Sequence, residues 1–149
     1  MAGLRLYNPS GEIALTGGTA KTAISVLAAA NHRVLLKGIE VFFKGTSSTD
    51  TPVKIRILRM TTDGTGTTQV PVVNDENAGE TVQQSGKVNY TAEPTCGNVL
   101  KVWEVHPQTG LVVFFPLGDE IVVKGGNKLG VELTSTQNET ASVNLYLEE

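Results

Sequence analysis

The sequence predicts an all-β protein, an antiparallel β-sandwich of jelly-roll-like type built from about 8–10 short strands. Three observations predict it. Thr and Val each occur 18 times and Gly 16 times among 149 residues; branching at Cβ suits the pleated strand, and glycine serves the turns. Several segments alternate apolar and polar residues with period two, as a strand does when one face is buried and the other wet. No segment sustains the 3.6-residue apolar stripe of a surface helix.

The elements follow in order along the chain. Residues 4–7 and 12–15 form short edge strands or part of an extended arm, which sets residues 1–18 apart from a single sandwich domain over 19–149. Residues 19–27 make a strand that Leu27-Ala28-Ala29-Ala30 can close with one helical turn. Residues 33–43 are long and largely apolar, as expected of a central strand covered on both faces. Val53, Ile55 and Ile57 alternate with Lys54, Arg56 and Leu58. Residues 99–105 alternate weakly around Trp103, a residue expected in the core. Two short runs, 111–115 and 120–124, flank the turn-forming Pro116-Leu117-Gly118-Asp119. The clearest alternation comes last: Leu129, Val131 and Leu133, then Ala141, Val143, Leu145 and Leu147. This pattern leaves the strand order open.

Residues 60–98 stand apart as a long polar excursion. They are rich in Thr, Gly, Asn and Gln, with five acids against Lys87 alone. A structureless loop of that length is unusual in a compact domain, so short strands are expected near 69–73 and 81–90. A long excursion from a rigid scaffold serves recognition or is simply solvated.

Composition narrows the function classes. Hydrophobic residues make up 40% and charged residues 18%, with a net charge of −3. No two of the 12 Lys and Arg are adjacent, so the dense basic face that neutralises phosphates is missing and nucleic acid is not an expected partner. No apolar run approaches the ~20 residues of a membrane helix, and no secretion signal is evident, so no membrane partner is expected either. The single cysteine, Cys96, excludes a disulfide within the chain.

The search for chemistry yields little. His32 and His106 are the only histidines. A Cys96–His106 dyad would have to bridge roughly 30 Å of extended chain, so a small buried thiol and a loop histidine are the expectation. Gly-x-Ser-x-Gly is absent. Two histidines and one cysteine cannot build a structural zinc site without several carboxylates. Asp75-Glu76-Asn77-Ala78-Gly79-Glu80 places oxygen ligands around a glycine but lacks the alternating acids of an EF-hand loop, so calcium there stays an open question. Gly64-Thr65-Gly66-Thr67 lacks the lysine of a phosphate loop. Asn89-Tyr90-Thr91 and Asn138-Glu139-Thr140 match the N-glycosylation pattern by chance in a chain without a secretion signal. No enzyme activity, metal or cofactor is expected. Phe42-Phe43 and Phe114-Phe115 are adjacent pairs, so each directs one ring to each sheet face, and an outward ring must meet a covering loop or a neighbouring subunit.

Several stretches carry a resemblance. They are Ala20-Lys21-Thr22-Ala23 leading to Ala28-Ala29-Ala30-Asn31-His32-Arg33-Val34; Asn89-Tyr90-Thr91-Ala92-Glu93-Pro94-Thr95; Val105-His106-Pro107-Gln108; and Pro116-Leu117-Gly118 through Gly125-Gly126 to Leu129-Gly130-Val131. From about Thr19 onward the chain resembles a group of small proteins encoded among the head and tail genes of tailed bacteriophages. The resemblance implies a virion component with a jelly-roll-like sandwich, a decoration or capsid-cement protein on the outer surface of the head. It implies a homo-oligomer, a trimer foremost, that is made in the host cytoplasm and binds the major capsid protein or another virion protein. The N-terminal segment falls outside the resemblance and is expected to add a strand to the shell or to serve as an edge strand. Leu4, Leu6, Tyr7, Phe42 and Phe115 are the candidate partner-interface residues. The alternative is a carbohydrate- or receptor-binding module of a phage fibre, presenting aromatic platforms or an acidic pocket.

Overall fold

A computed structural model describes residues 3–44, 51–76 and 79–149. Every regular element among them is a strand. The first four are β1 (Arg5–Leu15), β2 (Ala20–Leu27), β3 (Val34–Lys44) and β4 (Val53–Met60). The polar excursion contributes β5 (Thr65–Gln69), β6 (Val72–Val73) and β7 (Gly86–Ala92). Then come β8 (Cys96–Val105), β9 (Leu111–Phe114), β10 (Ile121–Val123), β11 (Lys128–Thr134) and β12 (Glu139–Glu148). No helical turn closes β2; the His32 N–H donates to the Ala29 carbonyl at 3.1 Å in a plain turn.

The strands form two antiparallel sheets packed face to face. The first runs β10-β3-β12-β1-β6, with β9 also on β3, and the second runs β5-β7-β2-β11-β4-β8. Without the excursion, the first sheet is β1-β12-β3 followed by β9 and β10, and the second is β2-β11-β4-β8. With β1, β3, β9, β10 and β12 in one sheet and β2, β4, β8 and β11 in the other, in this order, the strands have the arrangement of a jelly roll. The excursion extends both sheets on the same side: β5 and β7 beyond β2, and β6 beyond β1.

Alternation explains the core. Ala141, Val143, Leu145 and Leu147 of β12 face inward with Leu36, Ile39 and Val41 of β3 and Leu6, Ile13 and Leu15 of β1. The other sheet answers with Ile24, Val26, Ile55, Ile57, Leu129, Val131 and Leu133. Each fully buried Leu or Ile contributes roughly 1.5–3 kcal/mol relative to exposure. A second, smaller cluster lies on the outer face of the second sheet, where Leu58, Met60 and Tyr90 pack with Cys96. The Tyr90 hydroxyl donates to the Ser25 hydroxyl at 2.6 Å, and burial pushes the Tyr90 phenol up.

Residues 5–15 form a single strand of the first sheet, β1. A bulge between Pro9 and Glu12 joins the two short runs into one strand, paired with β12 along its length. Gly11 takes a φ of 69° at that bulge, and the Ser10 hydroxyl accepts the Val143 N–H at 2.8 Å. The extra residues restore the alternation, so Leu6 and Ile13 face the same core.

A candidate protein-interaction flank

The two flanks of the sandwich differ. On one, β5, β6 and β7 continue the sheets past β1 and β2, and the Gln69 side-chain amide donates to the Pro9 carbonyl. On the other, β8 ends one sheet while β9 and β10 end its partner, with no further strand beyond them among the described residues. A strand that ends a sheet presents unpaired N–H and C=O groups to any neighbour.

This open flank is also where apolar side chains meet water. Phe42, Val112, Phe114 and Val122 stand on the outer face of the first sheet, and Val99 and Val102 stand on β8. Leu117, at the tip of the β9–β10 turn, is 93% exposed. Among the described residues, nine large apolar side chains are exposed, and only Val70 and Val72 of the nine lie elsewhere. Between the two rims the sandwich mouth is half sealed. Trp103 and Leu100 of β8 and Val113 and Phe115 from the β9 side are partly buried against the core, and the Lys101 ammonium lies 6.0 Å from the Phe115 ring centre.

The turn that displays Leu117 is held firmly. The Asp119 N–H donates to the Pro116 carbonyl at 2.9 Å, and Gly118 sits at a φ of 97°, as the third position of a type II turn requires. The Gly118 N–H donates to Glu120 at 2.6 Å. Lys37 then pairs with Glu120 at 2.7 Å and Glu148 at 3.3 Å. Lys37 and the backbone donors lower the Glu120 carboxyl to about 2. A turn ordered before contact loses little freedom on binding.

Across the outer face of the first sheet, Val72, Tyr7, Tyr146, Gly38 and Phe114 pair in a single row. Ring centres are 5.6 Å apart between Tyr7 and Tyr146, and 5.2 Å apart between Tyr146 and Phe114. Gly38 makes the second contact possible, because a Cβ there would lie 2.4 Å from the Phe114 ring. The Tyr146 hydroxyl and the Asn144 amide both donate to Glu40, at 3.0 and 3.3 Å. Burial, with that carboxylate beside it, holds the Tyr146 phenol above its usual value.

The candidate interface residues read from sequence separate in this geometry. Tyr7 heads the aromatic row, and Phe42 is outward and 42% exposed. Leu4 and Leu6 are buried in the core, because β1 is a strand of the domain's own sheet. In the second phenylalanine pair it is Phe114 that faces out, over Gly38, while Phe115 turns toward the core. Val112, Leu117, Val122 and Tyr146 were not singled out by the sequence. Cys96 opens β8 and His106 follows its last residue, so the full strand separates them. Burial raises the Cys96 thiol, which lies 3.8 Å from Glu132. Of the acid-rich turn, Asn77 and Ala78 lie outside the described residues. Among the described residues no three His, Cys, Asp or Glu side chains gather as a metal site. Compared with known proteins, the chain matches no family model and no curated protein sequence.

Proposed function

We propose that the protein is a non-enzymatic structural component of a virus particle, a decoration or cement protein that self-associates through the β8–β9–β10 flank and sits on the outer surface of a phage head. One observation carries the reading: exposed apolar side chains and free strand ends coincide on one flank, while the excursion extends the other. Exposed apolar side chains beside unpaired sheet edges suit an interaction site. The jelly roll is found in capsid domains and in lectins, and so suits this role without deciding it. The resemblance to phage head and tail proteins supplies the setting: a homotrimer foremost, with the major capsid protein or another virion protein beneath it.

Light scattering on the purified protein tests the first half. A stable oligomer is expected, and Phe114→Lys combined with Val112→Lys is expected to yield monomers that keep the wild-type β spectrum. Co-sedimentation with undecorated heads tests the second half. A monomer that ignores the shell contradicts the proposal.

A carbohydrate-binding reading rests on a different observation, the row of Tyr7, Tyr146 and Phe114 beside Glu40 and Asn144. Aromatic faces stack on sugar C–H surfaces while polar neighbours orient hydroxyls. Glycan-array binding that is lost in Tyr146→Ala would favour it over the cement role.

A further inference from the structure

The excursion is joined more firmly within itself than to the sandwich it extends. Along the β5–β7 ladder, Thr65, Thr67, Thr68 and Gln69 pair with Ala92, Val88, Lys87 and Gly86. Toward the sandwich, β7 meets β2 at Ile24–Val88 and in a bridge at Leu27–Ser85, and β6 meets β1 at Leu6–Val73 and Tyr7–Val72. By comparison, β2 pairs with β11 from Ala20–Thr134 to Leu27–Lys128. Side chains take the place of the ladder between β2 and β7. The Lys87 N–H donates to the Ser25 hydroxyl at 3.1 Å, the Thr22 N–H to the Glu93 carboxylate at 2.8 Å, and the Lys21 ammonium to the Tyr90 carbonyl. The Glu149 carboxylate accepts the N–H groups of Gln83 and Gln84 at 2.7 and 3.0 Å.

The seam behind these bonds is polar. Among the described residues of 65–92, the buried apolar side chains are those of Pro71, Val88 and Tyr90. Asn8 of β1 faces Gly86, where a Cβ would lie 3.5 Å from the Asn8 amide nitrogen. Asn8 and Gln84 are both buried, and neither side-chain amide has a hydrogen-bond partner. The Thr22 hydroxyl is in the same state. A buried polar group without a partner penalises the closed arrangement, and water relieves it once the seam parts. A segment with its own pairing, little apolar burial and such a seam opens ahead of the core.

Both ends of the excursion leave the sandwich at one place. The Thr61 N–H donates to the Thr95 carbonyl at 2.9 Å, and the Thr95 N–H to the Thr62 hydroxyl at 2.8 Å. Gly64 follows at a φ of 63° on one crossing, and Pro94 lies on the other. Two adjacent crossings make one hinge. We propose that β5, β6 and β7 form a strap that opens as a unit about residues 61–64 and 93–95 while the rest of the sandwich stays folded. Opening bares the edges of β1 and β2, so the strap gates a second pair of sheet edges, opposite the flank that is already open.

Amide hydrogen exchange of the full chain in rising, sub-denaturing urea tests the strap. Amides of β5 and β7 are expected to be protected about a hundredfold less than those of β11 and β12. They should share one urea dependence, shallower than that of β11 and β12, because opening exposes only part of the surface. Two variants complete the test. Ile55 is buried on β4, and β2 and β11 separate it from the strap. Ile55→Val is expected to lower protection of β11 and β12 about threefold to tenfold and to leave β5 and β7 unchanged, since Ile55 stays packed when the strap is open. Glu93→Gln keeps shape and weakens the bonds to Thr22 and Lys21. It is expected to lower protection of β5 and β7 about threefold or more. Protection of β5 and β7 that falls with β11 and β12 in Ile55→Val would mean opening only by global unfolding and would overturn the strap. So would exchange on β5 and β7 without urea dependence, which is fraying residue by residue, or protection unchanged in Glu93→Gln.

Discussion

Replacing Arg56 by Met tests whether the outer face of the second sheet is built around a partly buried ion pair. Glu132 lies opposite Arg56 across the β11–β4 ladder, and its side chain is 10% exposed against 33% for Arg56. Arg56 Nε donates to Glu132 Oε1 at 2.9 Å, and Nη2 approaches the same oxygen. Among the described residues, Glu132 Oε2 meets only the weak thiol donor of Cys96, at 3.8 Å. Removing Arg56 leaves a nearly enclosed carboxylate with that thiol alone. Breaking a fully buried pair costs about 3–5 kcal/mol. Because a third of Arg56 is in water, screening reduces this to about 2–3 kcal/mol. For a domain of 149 residues that is a fall of about 5–10 °C in melting temperature. The double variant Arg56→Met/Glu132→Leu removes both charges and is expected to recover most of the loss, since an apolar pair of similar volume is often as stable as the ion pair. Urea unfolding of the two single variants and the double closes the cycle. A cost under about 0.5 kcal/mol for Arg56→Met, the range of ordinary surface changes, would refute the reasoning. So would a double variant no more stable than the single.

Four further outcomes follow from the same structure. Gly38→Ala places a Cβ 2.4 Å from the Phe114 ring, so the ring must leave Tyr146; a loss of about 1 kcal/mol in urea unfolding is expected, together with altered Tyr fluorescence. Leu145→Ala, at a position 1% exposed, is expected to cost about 2–5 kcal/mol in chemical unfolding. Val112→Ala, 55% exposed, is expected to cost under about 0.5 kcal/mol in the same assay while weakening self-association. The Glu120 carboxyl titrates at about 2 in the folded chain against 4.5 ordinarily, so its stabilisation is complete above the ordinary value and disappears as pH falls toward 2. Glu120→Gln is therefore expected to flatten the acid limb of the stability–pH curve relative to wild type, measured as urea midpoints between neutral pH and pH 3.

Much of the fold was legible from residue alternation. The stripe at Ala141, Val143, Leu145 and Leu147 is β12, and Leu129, Val131 and Leu133 mark β11. The excursion holds short strands as its length required, although β5 precedes the expected position and β7 begins later than predicted. The sandwich has more strands than the pattern suggested. The excursion supplies three, β5, β6 and β7, while β9 and β10 fall on the two runs expected on either side of Pro116–Asp119. What was not legible depends on register. The Ser10-Gly11 bulge interrupts the period of β1, so one strand looked like two short ones and its place in the sheet was hidden. Val112, Val113, Phe114 and Phe115 are all large and apolar, so alternation cannot say which ring faces out; the cross-strand glycine, Gly38, decides it. Glu139 reads in sequence as the middle of a glycosylation-like triplet, and only its pairing with Leu15 turns it inward. The open flank is likewise a property of strand order, which the periodicity left undetermined.

The most direct measurement of an associating flank is amide hydrogen exchange at low and high protein concentration. Raising the concentration about a hundredfold should populate the oligomer by mass action and slow exchange along β8, β9 and the Leu117 turn, with β5 and β6 unchanged. Exchange on β8 and β9 that does not depend on concentration, or protection that arises at β5 and β6, would contradict the account.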